Sequence, residues 1–175
     1  MKKFVCTILI IFNTFWVQAQ DAAELYAEKT SSIDSLITNL YGVISGEKGQ
    51  ERNWDLMKHL FYANSKLIPT GRNQEGDFLA RYMTVDDYIN SSGKWLTDNG
   101  FFEKEIHRKV DVFGNIAQVF STYEAFNSEA DEKPFMRGIN SIQLLFDENR
   151  WWIVNIFWMQ ETKDHPIPET YLPKN

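Results

Sequence analysis

The sequence predicts an α+β fold in which three helices are followed by an antiparallel sheet. In the first half of the chain, apolar residues recur at helical spacing, whereas from Phe101 onward they alternate with a period of two. Two turn sequences in the second half each separate a pair of long alternating segments, which is typical of β-hairpins. Helices that precede the strands, rather than alternate with them, indicate an α+β domain.

The three predicted helices lie between residues 33 and 96. The first begins after Ser31 or Ser32, either of which can cap it, and a shorter helix begins near Asn53. The third helix is predicted to follow residues 84–87 (Thr-Val-Asp-Asp), which form a capping box. In that motif the Thr hydroxyl and the Asp carboxylate bind backbone N–H groups that the helix leaves unpaired.

One short strand and four long strands are predicted. Residues 67–69 (Leu-Ile-Pro) are typical of an edge strand, because proline cannot donate to an interior ladder, and an exposed loop is expected at 70–77. Gly114 and Asn115 form the turn of the first hairpin, and residues 147–150 form the turn of the second. The four long strands are predicted at residues 102–112, 116–126, 137–146 and 151–160.

Residues 1–20 have the pattern of a secretory signal peptide. Lys2 and Lys3 precede an apolar run over residues 4–17, and cleavage is expected after Ala19 or Gln20. The run is shorter than the roughly 20 apolar residues that cross a membrane. We therefore expect an exported protein, periplasmic or secreted, that leaves the membrane after cleavage.

The remaining chain is predicted to be one domain, residues 21–175, with an irregular tail from about residue 162. Cys6 lies inside the predicted leader, so the mature chain would lack disulfides and cysteine nucleophiles. Loss of Lys2 and Lys3 would lower the net charge from −6 to −8. Such an acidic chain without a basic stripe is not expected to bind nucleic acid or anionic membranes.

The sequence contains no motif for binding a metal ion or a nucleotide. His59, His107 and His165 are far apart, and none has a second histidine and a carboxylate at ligand spacing. The chain also lacks a glycine-rich loop of the kind that binds phosphate groups. We therefore expect no metal site and no cofactor.

Four stretches of the predicted hairpins carry a likeness to a known family: residues 112–117 (Val-Phe-Gly-Asn-Ile-Ala), 121–123 (Ser-Thr-Tyr), 137–141 (Arg-Gly-Ile-Asn-Ser) and 150–153 (Arg-Trp-Trp-Ile). With the order of helices and strands over about residues 30–160, the chain resembles the nuclear transport factor 2-like superfamily, in particular its SnoaL-like bacterial branch. The resemblance implies a cone, also described as a cystatin-like α+β barrel, with a strongly curved sheet around the helices and a pocket at the open end. Members include isomerases, dehydratases, polyketide cyclases and proteins without known catalysis, so the resemblance implies a pocket rather than a reaction.

Strand alternation predicts which residues of the first hairpin face that pocket. With a two-residue turn at 114–115, Ile106 is opposite Tyr123 and Arg108 is opposite Ser121, on a face that is otherwise small or apolar. We expect Arg108, Ser121 and Tyr123 to form the polar part of the pocket. The alternative is a structural hydrogen-bond network, or an Arg108 side chain that extends to solvent.

The second hairpin is apolar on both faces. The family's usual Trp-x-Ile pattern would place Trp151 and Ile153 inside, together with Asn155, and Asn140 joins them in the predicted pocket. A sheet with one wet side alternates cleanly, so the other face should be covered. We expect it to form a homodimer interface, the alternative being cover by the C-terminal tail. The predicted interface residues are Trp152, Val154, Ile156 and Trp158.

The first functional hypothesis is an exported, non-catalytic protein that binds a small apolar, carbonyl-bearing or anionic ligand. The second is an isomerase, dehydratase or hydrolase of cyclic carbonyl compounds, in which Tyr123 acts with a helix-borne acid such as Asp55, Asp86 or Asp87. A protein-interaction module is the third. The predicted inner face contains no carboxylate or histidine, so the sequence leaves open whether the protein is an enzyme. A carboxylate inside the pocket would favour the second hypothesis.

Overall fold

The computed structural model describes residues 24–174, so the predicted signal peptide at 1–20 lies outside the described residues. The three predicted helices are present: α1 (Ile33–Ile44), α2 (Trp54–Leu60) and α3 (Val85–Asn99). Two short 3₁₀ turns, Ala27–Thr30 and Glu169–Tyr171, lie near the ends of the described chain. Within residues 24–174, no helix is long and apolar enough to cross a membrane.

Each helix begins at a capping residue that the sequence indicates. The side chain of Ser32 accepts a hydrogen bond from the N–H of Ser35, and the side chain of Asn53 does the same for Leu56. Thr84 and Asp87 form both bonds of the predicted capping box. Such caps satisfy backbone donors that the first turn of a helix leaves unpaired, each contributing about 1 kcal/mol.

Within residues 24–174, six strands form one curved, unclosed sheet in the order β2-β1-β6-β5-β4-β3. Their bounds are β1 (Phe61–Arg72), β2 (Phe78–Ala80), β3 (Phe102–Phe113), β4 (Ile116–Phe126), β5 (Met136–Asp147) and β6 (Arg150–Gln160). The predicted α+β class, with helices packed against a strongly curved sheet, is confirmed. The sheet does not close into a barrel, because its two edge strands, β2 and β3, do not pair with each other.

Strand β1 differs from the prediction in length, position and direction. It covers residues 61–72 instead of 67–69, and it pairs in parallel with β6, so the sheet is mixed rather than antiparallel. The edge position belongs to β2, which follows the loop expected at 70–77, whereas β1 itself extends into that region as far as Arg72. All three residues of β2 are exposed, so this strand has no buried face that an apolar pattern could mark.

Two β-bulges set which side chains face the helices. In β3 the pairing passes from Arg108–Ser121 and His107–Thr122 to Glu105–Tyr123, which leaves Ile106 as the extra residue. The predicted pair Ile106–Tyr123 is therefore wrong. Because successive side chains of a strand point to opposite faces, one extra residue turns everything beyond it to the other face.

The second bulge lies in β6. Ile142 pairs with Ile156, and Gln143 pairs with Asn155, whereas Leu144 pairs with Ile153. Val154 is the extra residue between them, which overturns the predicted pair Ile142–Asn155. We call the helix-facing side of the sheet the inner face and the opposite side the outer face.

The core lies between the three helices and the inner face. Leu36 and Ile37 from α1 and Leu60 from α2 are fully buried against Val119 and Ile153 of the sheet. Full burial of one such side chain contributes roughly 1.5–3 kcal/mol. Because the helices pack on the inner face, a cavity can remain where the packing between helices and sheet is incomplete.

Candidate active site

A cavity of about 210 Å³ remains between the helices and the inner face of the sheet. Its walls are mostly apolar and aromatic, with contributions from all three helices and from five of the strands. The polar residues that line it are Tyr41, Tyr88, Ser92, Glu103, Tyr123 and Asn140. An apolar cavity with a few convergent polar groups is the arrangement expected of a small-molecule site.

Glu103 is the carboxylate of this cavity. It lies on β3 beyond the bulge, opposite Ala125, so its side chain shares the inner face with Tyr123. The side-chain amide of Asn140 donates a hydrogen bond to Oε1 of Glu103 at 3.2 Å. Oε2 accepts no hydrogen bond from the described residues and remains for a ligand.

Burial makes Glu103 a group that exchanges protons near neutral pH. Loss of hydration disfavours the charged carboxylate and raises the pKa of Glu103 to about 7, although the hydrogen bond from Asn140 opposes the rise. An ordinary glutamate with a pKa near 4.3 is fully ionised at pH 7. Glu103 is instead divided between its acid and base forms, which suits a group that must both remove and return a proton.

Tyr88 and Tyr123 are two of the three tyrosines that line the cavity with Glu103. Burial raises the pKa of Tyr88 on α3 and of Tyr123 on β4, and the negative charge of Glu103 raises both to a smaller extent. Both hydroxyls therefore keep their protons at neutral pH and can donate hydrogen bonds. Tyr123 is opposite Gly138 on β5, where a Cβ atom would lie 2.5 Å from the tyrosine hydroxyl oxygen. Glycine at 138 thus makes the room that Tyr123 occupies.

The structure separates the predicted pocket residues. Tyr123 and Asn140 line the cavity, whereas Ser121 lies directly behind it and is 0% exposed. Arg108 points away from the cavity lining and forms ion pairs with Glu105 and Asp34, the latter at 2.6 Å. The alternative of a structural network therefore describes Arg108, which offers no unpaired cation to a ligand.

Asn155 and part of the predicted dimer interface are placed on the wrong faces by the sequence, for one reason. The bulge at Val154 turns Asn155 to the outer face, where it donates to Gln143 at 2.7 Å. It also turns Ile156 and Trp158 to the inner face, and both line the cavity. They therefore do not belong to the outer surface at which a homodimer was expected.

The remaining two predicted interface residues are consistent with an outer position. Trp152 pairs with Leu145, adjacent to the buried inner pair of Leu144 and Ile153, and its ring stacks on the guanidinium of Arg150 at 3.6 Å. Val154 is 37% exposed.

The C-terminal tail covers another part of the outer face. The hydroxyl of Thr122 donates to the carbonyl of Tyr171 at 2.6 Å, and the Tyr171 ring packs on Phe120. Large apolar side chains remain exposed at the β3–β4 turn, among them Phe113 at 83%. The contacts of the tail lie on β4 of the first hairpin, so both the homodimer and cover of the second hairpin by the tail stay predictions.

In the described part of the chain, three larger depressions lie outside the cavity, and one of them, of about 430 Å³, is mostly polar and includes Arg137 and Glu161 in its lining. Depressions of about 520 and 610 Å³ are open and mostly apolar. The first lies between the tail and β2, and the second lies near the β3–β4 turn. Glu103, whose pKa burial raises, lines none of the three, so their size does not make them better candidates for chemistry.

The acids expected from the helices do not reach the cavity. Asp86 pairs with Lys58 at the surface, and Asp87 caps α3, while Asp55 is absent from the cavity lining. The acid comes from a strand instead. Among residues 24–174, no group of three His, Asp or Glu side chains is placed to hold a metal ion.

No protein-family model and no curated protein matches this sequence, whereas solved structures do. A nuclear transport factor 2-like protein with a cystatin-like fold from Novosphingobium aromaticivorans has a TM-score of 0.59 at 12% identity, over 85% of this chain and 93% of its own. The chain adopts the nuclear transport factor 2-like fold. A candidate scytalone dehydratase from the same organism aligns over the same shares, with a TM-score of 0.57 and 12% identity. A cystatin-like protein of unknown function from Nostoc punctiforme has a TM-score of 0.57 at 10% identity, over 75% of this chain and 90% of its own.

The resemblance predicted from the sequence is thereby confirmed at the level of the fold. At identities this low, the structural match establishes the nuclear transport factor 2-like architecture but carries no residue role from one protein to another. The chemistry of this nuclear transport factor 2-like chain must be argued from its own cavity, in which Glu103 is the decisive group.

Proposed function

We propose that the protein is an acid–base enzyme of the isomerase or dehydratase type, with Glu103 as the group that moves the proton. The observation that supports this most is the carboxyl group of Glu103 inside an apolar cavity, where burial raises its pKa to about 7. Carboxylates are usually exposed or paired with a cation, because an unpaired buried charge is costly. A cavity that keeps one without a cation is typical of a catalytic acid or base.

The cavity favours a neutral, ring-shaped carbonyl compound. Among the residues that the structure describes, Glu103 is the only charged residue of the lining, and no Lys, Arg or His contributes to the walls, so an anionic ligand would be repelled. Trp95, Phe101 and Trp158 offer aromatic surfaces against which a ring can pack. The volume of about 210 Å³ limits the ligand to roughly one or two rings. The anionic ligand suggested by Arg108 is therefore not part of the proposal.

The proposed reaction uses the base and a hydroxyl donor together. Oε2 of ionised Glu103 removes a proton from the carbon next to the substrate carbonyl, and the electron pair moves into the new carbon–carbon double bond as the carbonyl becomes an enolate. The enolate oxygen accepts a hydrogen bond from Tyr123 or Tyr88, whose raised pKa values keep them protonated. Protonated Glu103 then returns its proton, either to another carbon in an isomerisation or to a departing hydroxyl group in a dehydration.

The test follows this proton rather than a particular product. A panel of neutral cyclic ketones is incubated with the protein in D₂O, and exchange at the carbon next to the carbonyl is followed by NMR. Glu103→Gln keeps the shape of the side chain and removes the base, so exchange should fall by about 10²–10⁴-fold. The matched control is Glu161→Gln, since Glu161 pairs with Arg137 away from the cavity and the variant should exchange at the wild-type rate.

Equal exchange rates in wild type and Glu103→Gln would refute the proposed role of Glu103. If the wild-type protein binds ring ketones but exchanges no proton with any of them, the non-catalytic binding function expected from the sequence replaces the enzyme. We also propose that this chemistry takes place after export, because residues 1–20 have the pattern of a signal peptide.

A further inference from the structure

We infer that the Glu105–Arg108 ion pair is a positioning device that fixes the orientation of the Asn140 amide and thereby holds Glu103 ready to act as a base. The inference rests on the proposed role of Glu103. It assigns a task to residues that touch neither the cavity nor a substrate, and that the proposed reaction does not otherwise use.

A continuous chain of hydrogen bonds joins the ion pair to the cavity. The hydroxyl of Ser121 donates to the carboxylate of Glu105. The hydroxyl oxygens of Tyr41 and Ser121 are 2.7 Å apart. The amide nitrogen of Asn140 lies 3.1 Å from the Tyr41 hydroxyl and 3.2 Å from Oε1 of Glu103. The chain thus links two glutamates of β3 through side chains from α1, β4 and β5.

The ion pair determines the direction of every bond in this chain. Nε of Arg108 donates to both carboxylate oxygens of Glu105, at 2.9 and 3.0 Å, so both oxygens act as acceptors. A carboxylate that accepts from a guanidinium in this way only accepts, so Ser121 must donate its single hydroxyl proton to Glu105. Ser121 can then only accept from Tyr41.

The last links follow from the same count of protons. Because Tyr41 donates to Ser121, its oxygen can only accept from Asn140. The NH₂ group of Asn140, rather than its oxygen, must therefore face Tyr41. Its second proton then points to Glu103, where it stabilises the ionised form and limits the rise in the pKa of that group.

Water does not relax this constraint, because the middle of the chain is closed. Ser121, Tyr41 and Asn140 are 0%, 5% and 7% exposed, respectively. A reversed amide would place the Asn140 oxygen against the Glu103 carboxylate, which is tolerable only when Glu103 is protonated. The direction of the hydrogen bonds in this network is therefore coupled to the protonation of Glu103, the proposed base.

The other groups around Glu103 do not compete for this role at neutral pH. Tyr41 from α1, Tyr88 from α3 and Tyr123 from β4 face it, and burial raises the pKa of each, so all three stay neutral. Glu105, which pairs with Arg108 on the same strand, is the other acid that the network reaches among residues 24–174. A change at Glu105 should therefore reach Glu103 through the chain.

The experiment is a titration of Glu103 in the free protein by NMR with ¹³C-labelled glutamate carboxyls, the signal being assigned with Glu103→Gln. Glu105→Gln introduces an amide that can donate to Ser121, which permits the whole chain to reverse. The pKa of Glu103 should then rise by about one pH unit or more, as expected when a donor is replaced by an acceptor. The side-chain amide signals of Asn140 should shift as well.

Three further variants separate positioning from folding. Glu105→Asp keeps an ionised acceptor and should restore the Glu103 pKa toward the wild-type value, whereas Glu161→Gln should leave it unchanged. Ser121→Ala removes one hydroxyl, frees Tyr41 to donate to Asn140 and should raise the pKa of Glu103 even if Glu105→Gln does not fold. An unchanged Glu103 titration in folded Glu105→Gln or Ser121→Ala would overturn the inference.

The titration needs no substrate, so the two proposals fail separately. Ring ketones that never exchange, together with a shifted Glu103 pKa in Glu105→Gln, would refute the enzyme and leave the coupling standing. Exchange that depends on Glu103, together with an unshifted pKa in Glu105→Gln, would refute the positioning role alone.

Discussion

The stability of the protein should depend on pH through Glu103, and replacement of that residue should reveal by how much. Burial raises the pKa of Glu103 from its ordinary value of 4.5 to about 7 in the folded protein. A folded-state pKa above the unfolded one means that the folded chain binds the proton more tightly. Stability linked to this group is therefore fully present below about pH 4.5 and is lost as the pH rises through about 7.

The magnitude follows from the size of that change. At about 1.36 kcal/mol for each unit of pKa, the cost of the ionised form approaches about 3 kcal/mol above pH 7. Glu103→Gln cannot ionise and avoids this cost. Its free energy of unfolding, relative to wild type, should therefore increase by about 3 kcal/mol between about pH 4.5 and 8.

Urea denaturation at a series of pH values measures this difference directly. Glu161→Gln is a control of opposite sign, because the ion pair with Arg137 lowers the pKa of Glu161 and makes its charge stabilising at neutral pH. A difference between wild type and Glu103→Gln that stays constant over the whole range would refute the buried, proton-binding carboxyl group. The proposed chemistry would then lose its physical basis.

Three further predictions concern the cavity and the outer face. Tyr123→Phe removes a donor to the enolate oxygen, and if Tyr123 is that donor, kcat for ketone exchange should fall by about 10²–10³-fold with the fold unchanged; an unaltered rate would assign the role to Tyr88. Gly138→Ala places a Cβ atom 2.5 Å from both the Tyr123 hydroxyl and the backbone carbonyl oxygen of Met159, so the free energy of unfolding should fall by about 1–3 kcal/mol in urea titrations. An unchanged midpoint would show that Tyr123 and the β6 backbone can both give way at this point. Light scattering of residues 21–175 should give the mass of a homodimer, and a monomeric wild type would refute the dimer. Phe113→Asp should give a monomer, because Phe113 is 83% exposed beside other apolar side chains.

The helices and most of the strands could be predicted from local chemistry alone. Ser32, Asn53 and the pair Thr84–Asp87 are caps whose side chains act within three residues of their own position, so sequence spacing is sufficient to find them. The hairpins are equally local, because their turns and alternating patterns lie within a few residues of one another. Strand β2 lacks such a signal, since its three residues are all exposed.

The candidate site depended on information that is not local. The bulges at Ile106 and Val154 lack glycine or proline, and they become evident only when the neighbouring strands fix the pairing. A regular alternation therefore turned Glu103 outward and Asn155 inward. In the regular register Ala125 would be opposite Lys104, and only the bulge brings Glu103 opposite this small buried residue, which leaves space for a longer side chain on the inner face.

The bulge at Ile106 also has a consequence for comparing this chain with its relatives. It divides β3 into two segments whose lengths can change independently, one tied to the turn at Gly114 and the other carrying Glu103. Relatives that lack the extra residue should show a gap of one position inside this strand. An alignment anchored at the turn would then place the acid one column away from its true counterpart, and the residue most relevant to chemistry would seem not to be shared. Only an alignment that places a gap of one position at Ile106 would keep the acids in register.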